Sequence, residues 1–175
     1  SLSLGGNQRN VLFRNNGDGT FTEVGYLAGV DTIDDGYMPA FADVNLDGKL
    51  DLLVRSCDPG TSQYQYPSLR LYKNQMVDSG KNLKITLTGD GINSNRDAVG
   101  AKITVRVGEK IMVREIDTVS GASQSEMAAF FGLGENSQVD EVRIDWPSGK
   151  VETYQNVGAG SIAYTEGVSS EDSGM

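Results

Sequence analysis

Histidine is absent from this 175-residue chain, and cysteine occurs once, as Cys57. Without histidine the chain lacks the commonest general base and the commonest zinc ligand, which closes Ser–His–Asp hydrolysis and histidine-based zinc catalysis to it. A single cysteine allows neither an internal disulfide nor a thiolate metal cluster. Cys57 reads most simply as a small residue at a strand end. No apolar run approaches the roughly 20 residues of a membrane-spanning helix, so membrane insertion is not expected. Basic residues are also scarce: 15 Lys and Arg stand against 24 Asp and Glu, a formal net charge of −9. Phosphate recognition needs clustered Lys and Arg, so nucleic acid is excluded as a partner and cations are favoured. The opening residues "SLSLGGNQRN" lack the charged and apolar regions of a signal peptide and read as the middle of a longer protein.

Glycine, by contrast, is plentiful at 22 residues, and turn dipeptides recur, a texture of short strands and tight turns. Val11 to Arg14, Phe21 to Val24, Pro39 to Asp43, Leu50 to Arg55 and Leu69 to Lys73 read as strands, with "NNGDG" as a hairpin turn. Leu12-Phe13-Arg14-Asn15 aligns with Leu71-Tyr72-Lys73-Asn74, an offset about equal to one four-stranded propeller blade with generous loops. After Lys81 the alternation becomes strict: Leu83, Ile85 and Leu87 share one face, as do Ile103, Val105 and Val107. "IMVREI", "VDEVRIDW", "VETY" and "SIAYT" add further strands, and turns fall at Gly89 to Gly91, around Gly108 and at Pro147 to Lys150. Only "SQSEMAAFFG" has a helical look. The expected class is all-β: partial β-propeller blade or blades over residues 1–80, then an antiparallel β-sandwich or barrel over 81–167, then a disordered tail, 168–175.

The stretch "FADVNLDGKLDLLV", Phe41 to Val54, crowds Asp43, Asn45, Asp47 and Asp51 around Gly48. A hard dication such as Ca²⁺ takes six to eight oxygens. Alternate positions can aim three side-chain oxygens inward from Asp43, Asn45 and Asp47. Gly48 allows the sharp turn, Lys49 offers its carbonyl, and Asp51 closes the cage. A cation converts the mutual repulsion of these carboxylates into attraction. An EF-hand would need a Glu at the twelfth position and helices on both sides; Val54 stands there, and the flanks read as strands. The alternative is an Asx-rich turn without metal.

These residues carry a resemblance. "FADVNLDGKLDLLV" resembles the calcium loop of FG-GAP/VCBS repeats, the blades of integrin-like propellers, and "LFRNNGDGTFTEV" resembles the outer hairpin of the same repeats. Residues 82–166 look like an ASPIC/UnbV domain, carried by "SNRDAVGAKITV", "SQSEMAAFFGLG" and "VDEVRIDWPSG". The family's frequent aromatic and histidine around the "SQ" and "FGLG" segment are missing here. The resemblance implies a secreted, cell-surface or periplasmic protein with bound calcium and no assigned chemistry. One and a half blades do not close a propeller, which implies the C-terminal fragment of a longer propeller protein; exposed strand edges leave self-association open.

Other residues are weighed against plainer roles. Asn16 and Asp18 could bind a second cation, but a hairpin turn suits them better. Arg96 and Asp97 could form a ligand loop, although a pair that holds this loop against the sandwich is the simpler reading. Trp146 could stack on a sugar; its alternation with Val142 and Ile144 makes it core. Tyr64, Tyr66 and Tyr72 could form an aromatic surface, with Tyr72 better explained by strand packing. No carboxylate pair is singled out for glycoside hydrolysis. The expected function is therefore a non-catalytic extracellular calcium-binding interaction or adhesion module, with Asp43, Asn45, Asp47, Lys49 and Asp51 as metal ligands and an unidentified protein or glycan partner. The alternatives are an accessory domain of a larger enzyme or biosynthetic assembly, and a carbohydrate-binding module.

Overall fold

The computed structural model describes residues 9–33, 35–57, 68–76, 80–118 and 124–168. Tyr64, Tyr66 and the tail from 169 onward lie outside the described residues. Among the described residues the chain is all-β apart from one helical turn, and it divides into two compact units. The first takes in the described residues up to Ala42 and from Asp51 to Asn74. The second takes in Asp43–Leu50 and the described residues from Gln75 onward.

In the first unit, β1 (Phe13–Asn15) and β2 (Phe21–Glu23) form an antiparallel hairpin. Its turn is built by short polar side chains. Asn15 Oδ1 accepts the Gly17 amide at 2.8 Å, and Asp18 Oδ1 accepts the Thr20 amide at 2.9 Å and its hydroxyl at 2.6 Å. Gly17 and Gly19 take the positive φ values (85° and 87°) that such a turn requires. Asp18 is thus a turn former, and its carboxyl sits below the usual range because Thr20 bonds to its charged form. The helical turn α1 (Gly25–Ala28), unforeseen in the sequence, ends at Gly29 in the left-handed conformation. One turn is too short to set up a helical periodicity.

A second sheet places β4 (Asp51–Cys57) between β3 (Asp35–Ala42) and β5 (Ser68–Tyr72), all antiparallel. Pro39 is tolerated because β3 is an edge strand, where one ladder donor is dispensable. Residues 43–50 are the connection of the β3–β4 hairpin, so strands and not helices flank the acidic loop. Val30 is the only buried hydrophobic residue among the described residues of this unit, while Phe13, Phe21, Leu27 and Leu69 are all more than half exposed.

The second unit is a two-layer sandwich. One layer runs β11 (Val151–Gly158), β10 (Gln138–Asp145), β7 (Lys102–Val107), β8 (Lys110–Glu115), all antiparallel. The other runs β12 (Gly160–Thr165), β6 (Lys81–Thr88), β9 (Ala129–Gly134). Inward side chains of both layers meet in one core: Leu83 and Ile85 from β6, Phe131 and Leu133 from β9, Ile103 and Val105 from β7, Val142 and Ile144 from β10. Trp146 joins them, 3% exposed, and donates Nε1–H to Glu152 at 2.9 Å. It belongs to the core and offers no face to a sugar.

Three details depart from the sequence reading. The segment with a helical look ends in strand β9, because Ala129, Phe131 and Leu133 alternate into the core. Strand β12 pairs with β6 in parallel, from Gly160↔Leu83 to Thr165↔Thr88, within an otherwise antiparallel unit. A parallel pair needs a crossover connection, and here everything from β7 to β11 lies between the two strands. The third departure concerns β10 and β11. The ladder skips Asp140 and Asn156 without a change of register, and Asn156 has φ 56°. Each strand therefore changes the face it buries at this point, from Tyr154 to Val157 and from Val139 to Val142.

Candidate functional site

The acidic loop is wound around its first aspartate. Asp43 is 7% exposed; its Oδ1 accepts the Asp47 amide at 3.0 Å and its Oδ2 accepts the Gly48 amide at 2.8 Å. Asp47 Oδ1 accepts the Lys49 amide at 3.0 Å, and Asn45 Nδ2 donates to Asp47 Oδ2 at 2.9 Å. Two residues take positive φ to allow this path, Leu46 at 59° and Gly48 at 82°. For Gly48 that conformation costs nothing, whereas a non-glycine residue such as Leu46 is strained by it. The Lys49 side chain turns away and donates to the Met76 carbonyl at 2.8 Å. Asp51, at the head of β4, is 1% exposed and accepts the Asn74 amide at 2.8 Å.

The loop thus brings Asp43, Asn45, Asp47 and the Lys49 backbone together by direct hydrogen bonds. Among the described residues, no three acidic side chains converge closely enough to hold a metal by themselves. The donors nevertheless suit a hard cation. All are oxygens, and a carboxylate oxygen that accepts one amide keeps a second lone pair.

Sequence reasoning missed the residues that seat this loop in the second unit. Glu126 Oε2 accepts the Asp43 amide at 3.2 Å, and Glu126 Oε1 pairs with the Lys84 ammonium. Lys84 is buried on β6 with its ammonium 5.2 Å from the centre of the Phe130 ring. Asn82 lies against Gly48, so close that a Cβ there would stand 2.6 Å from Asn82 Nδ2. A buried lysine demands a partner, and its position in an apolar strand was the available signal for one.

A second polar cluster ties three segments of the sandwich together. Glu166 accepts the Ser148 hydroxyl and, at 3.1 Å, the Asp90 amide; Ser94 Oγ accepts the Ser148 amide at 3.0 Å. Burial pushes the Glu166 carboxyl up, but the bonds from Ser148, Ser94 and Asp90 outweigh it and hold it below its ordinary value. Asp90 in turn accepts the amides of Ile92, Asn93 and Ser94, which keeps its own carboxyl well below the usual range. Asn95 spans the next turn by bonds to the Val99 amide and carbonyl. The Arg96–Asp97 pair is 3.7 Å apart with both side chains more than half exposed. It therefore does not hold the loop to the sandwich; Asp90, through Glu166, and Ser94, through Ser148, do.

A loop between strands and a two-layer sandwich define an all-β protein. Residues 2–54 match the FG-GAP-like repeat, and residues 91–167 match the ASPIC and UnbV family. The chain thus carries an FG-GAP-like repeat followed by an ASPIC and UnbV domain. No curated protein matches it. FG-GAP repeats are typical of extracellular or periplasmic proteins, and both families are repeat or accessory types that are not typically catalytic. No described helix is long and apolar enough to cross a membrane.

Proposed function

We propose that this chain is a calcium-binding interaction module of a secreted, cell-surface or periplasmic protein, without catalytic activity of its own. The winding of residues 43–49 supports the reading most directly. Asp43 organises the loop through the Asp47 and Gly48 amides, and Asp47 through the Lys49 amide. The oxygens of Asp43, Asn45 and Asp47 and the Lys49 carbonyl would hold the ion. Bound there, calcium would neutralise the carboxylates and fix the loop.

Extracellular calcium sites commonly have dissociation constants of about 10⁻⁴ to 10⁻³ M, so millimolar calcium would add roughly 0.4–1.4 kcal/mol to stability. Thermal unfolding in calcium and in chelator tests this. The midpoint is expected to rise with calcium, and Asp47→Ala is expected to abolish the rise. Equal midpoints in calcium and chelator, or a full calcium response in the variant, would refute the proposal.

A further inference from the structure

The sandwich has an open side where two sheet edges face each other. Strand β11 ends one layer and β12 ends the other. Between them lies a groove of about 660 Å³, lined by residues 153–158 of β11, 162–165 of β12, and Val168. That volume is within the roughly 300–1,000 Å³ range of small-ligand sites.

The lining is chemically selective. In a chain with 39 charged residues (15 basic and 24 acidic), no Asp, Glu, Lys or Arg among the described residues lines this groove. Its polar side chains are neutral: Thr153, Gln155, Asn156 and Thr165, with Tyr154 and Tyr164 between them. The two tyrosines stack at 4.1 Å between ring centroids, from one edge strand to the other. The Tyr154 hydroxyl is committed to Glu152 at 3.1 Å. The Tyr164 hydroxyl has no hydrogen-bond partner among the described residues, and burial alone pushes it up to about 12. Asn156 adds an independent observation. It is exposed, non-glycine and left-handed in the middle of a strand, and it lies on the groove. Strained backbone of this kind persists where the surrounding structure enforces it, and it clusters at ligand sites.

From this we infer that the β11–β12 groove binds an uncharged, polyhydroxylated ligand, a short neutral oligosaccharide. Amide and hydroxyl side chains donate to and accept from sugar hydroxyls, and apolar ring surface suits the C–H faces of a pyranose. The missing charge disfavours acidic and basic ligands, which would lose hydration without gaining a partner. An extended peptide added to β11 would need a regular edge, and Asn156 interrupts that edge at mid-groove. The inference concerns the second unit alone and is independent of the calcium reading.

Its test is titration of the isotopically labelled full chain with a panel of neutral oligosaccharides at millimolar concentration, in calcium and in chelator. Amide shifts are expected at residues 153–158 and 162–165 with at least one member, in both media. Tyr164→Phe, which removes only the hydroxyl, is expected to weaken binding about five- to tenfold, as loss of one hydrogen bond would. Asn156→Gly, which relieves the positive φ and removes the amide, is expected to weaken it further. Trp146 emission monitors the fold of each variant. The inference is overturned if no member of the panel shifts these amides, if both variants bind as the parent does, or if uncharged extended peptides bind there and sugars do not.

Discussion

Glu126 Oε2 accepts the backbone amide of Asp43 at 3.2 Å, across 83 residues of sequence. The same carboxylate neutralises Lys84 through its other oxygen. The first residue of the acidic loop is therefore positioned by a side chain from the ASPIC and UnbV domain, which in turn keeps a buried ammonium paired.

Glu126→Gln is expected to destabilise the second unit by about 2 kcal/mol, because Lys84 is left buried without its counter-charge. Adding Lys84→Met is expected to recover much of that loss, since the buried charge disappears with its partner. Denaturant unfolding of the two variants measures both effects. A double variant no more stable than Glu126→Gln alone would show that the pair is not coupled.

Gly48→Ala is expected to cost about 1–2 kcal/mol, from a positive φ that alanine resists and from contact with Asn82. Asn82 is a movable side chain, so Gly48→Ala with Asn82→Ala isolates the backbone part. The double variant is expected to remain less stable than Asn82→Ala, as thermal unfolding in chelator would show.

Glu166 is expected to shape the acid limb of stability. Its folded value lies below the ordinary 4.5, so the folded state binds this proton less readily than the unfolded chain. The stabilisation is complete above about pH 4.5 and is lost as pH falls through the lower folded value. Glu166→Gln removes the charge that Ser148 and the Asp90 amide bond, at a cost of about 1–3 kcal/mol near neutrality. Its stability curve is expected to be flatter than the parent's below pH 4.5. Parallel curves in acid would assign the effect to other carboxyls.

Trp146 is the single tryptophan, and it is buried in the second unit beside Glu152. Its emission is expected to shift to longer wavelength when the sandwich unfolds and so to report on that unit alone. Trp146→Ala is expected to cost about 3–5 kcal/mol by leaving a cavity. A loss under 1 kcal/mol would mean that neighbouring core side chains refill the space.

The strands of the sandwich were legible because burial on one face imposes a period of two, as in Leu83, Ile85 and Leu87. The turns were legible because Asn, Asp and Gly make their bonds within a few residues, as Asp18 does with Thr20 and Asp43 with Gly48. The helical look of "SQSEMAAFFG" misled because two phenylalanines and two alanines fit either period over so short a run; the core settled it by taking Phe131 and leaving Phe130 for Lys84.

What the sequence determined by itself was local: an all-β chain, its strand faces, and an acidic loop with oxygen donors in alternation. The tertiary structure alone decided the pairings between distant residues: Glu126 with Asp43 and Lys84, Glu166 with Ser148 and Asp90, β12 parallel to β6, and a neutral groove between two sheet edges. The physical reason is range. Periodicity and turn chemistry act over a few residues and leave a pattern in the order of amino acids, whereas the partner of a buried charge or a sheet edge is chosen only when the chain closes on itself.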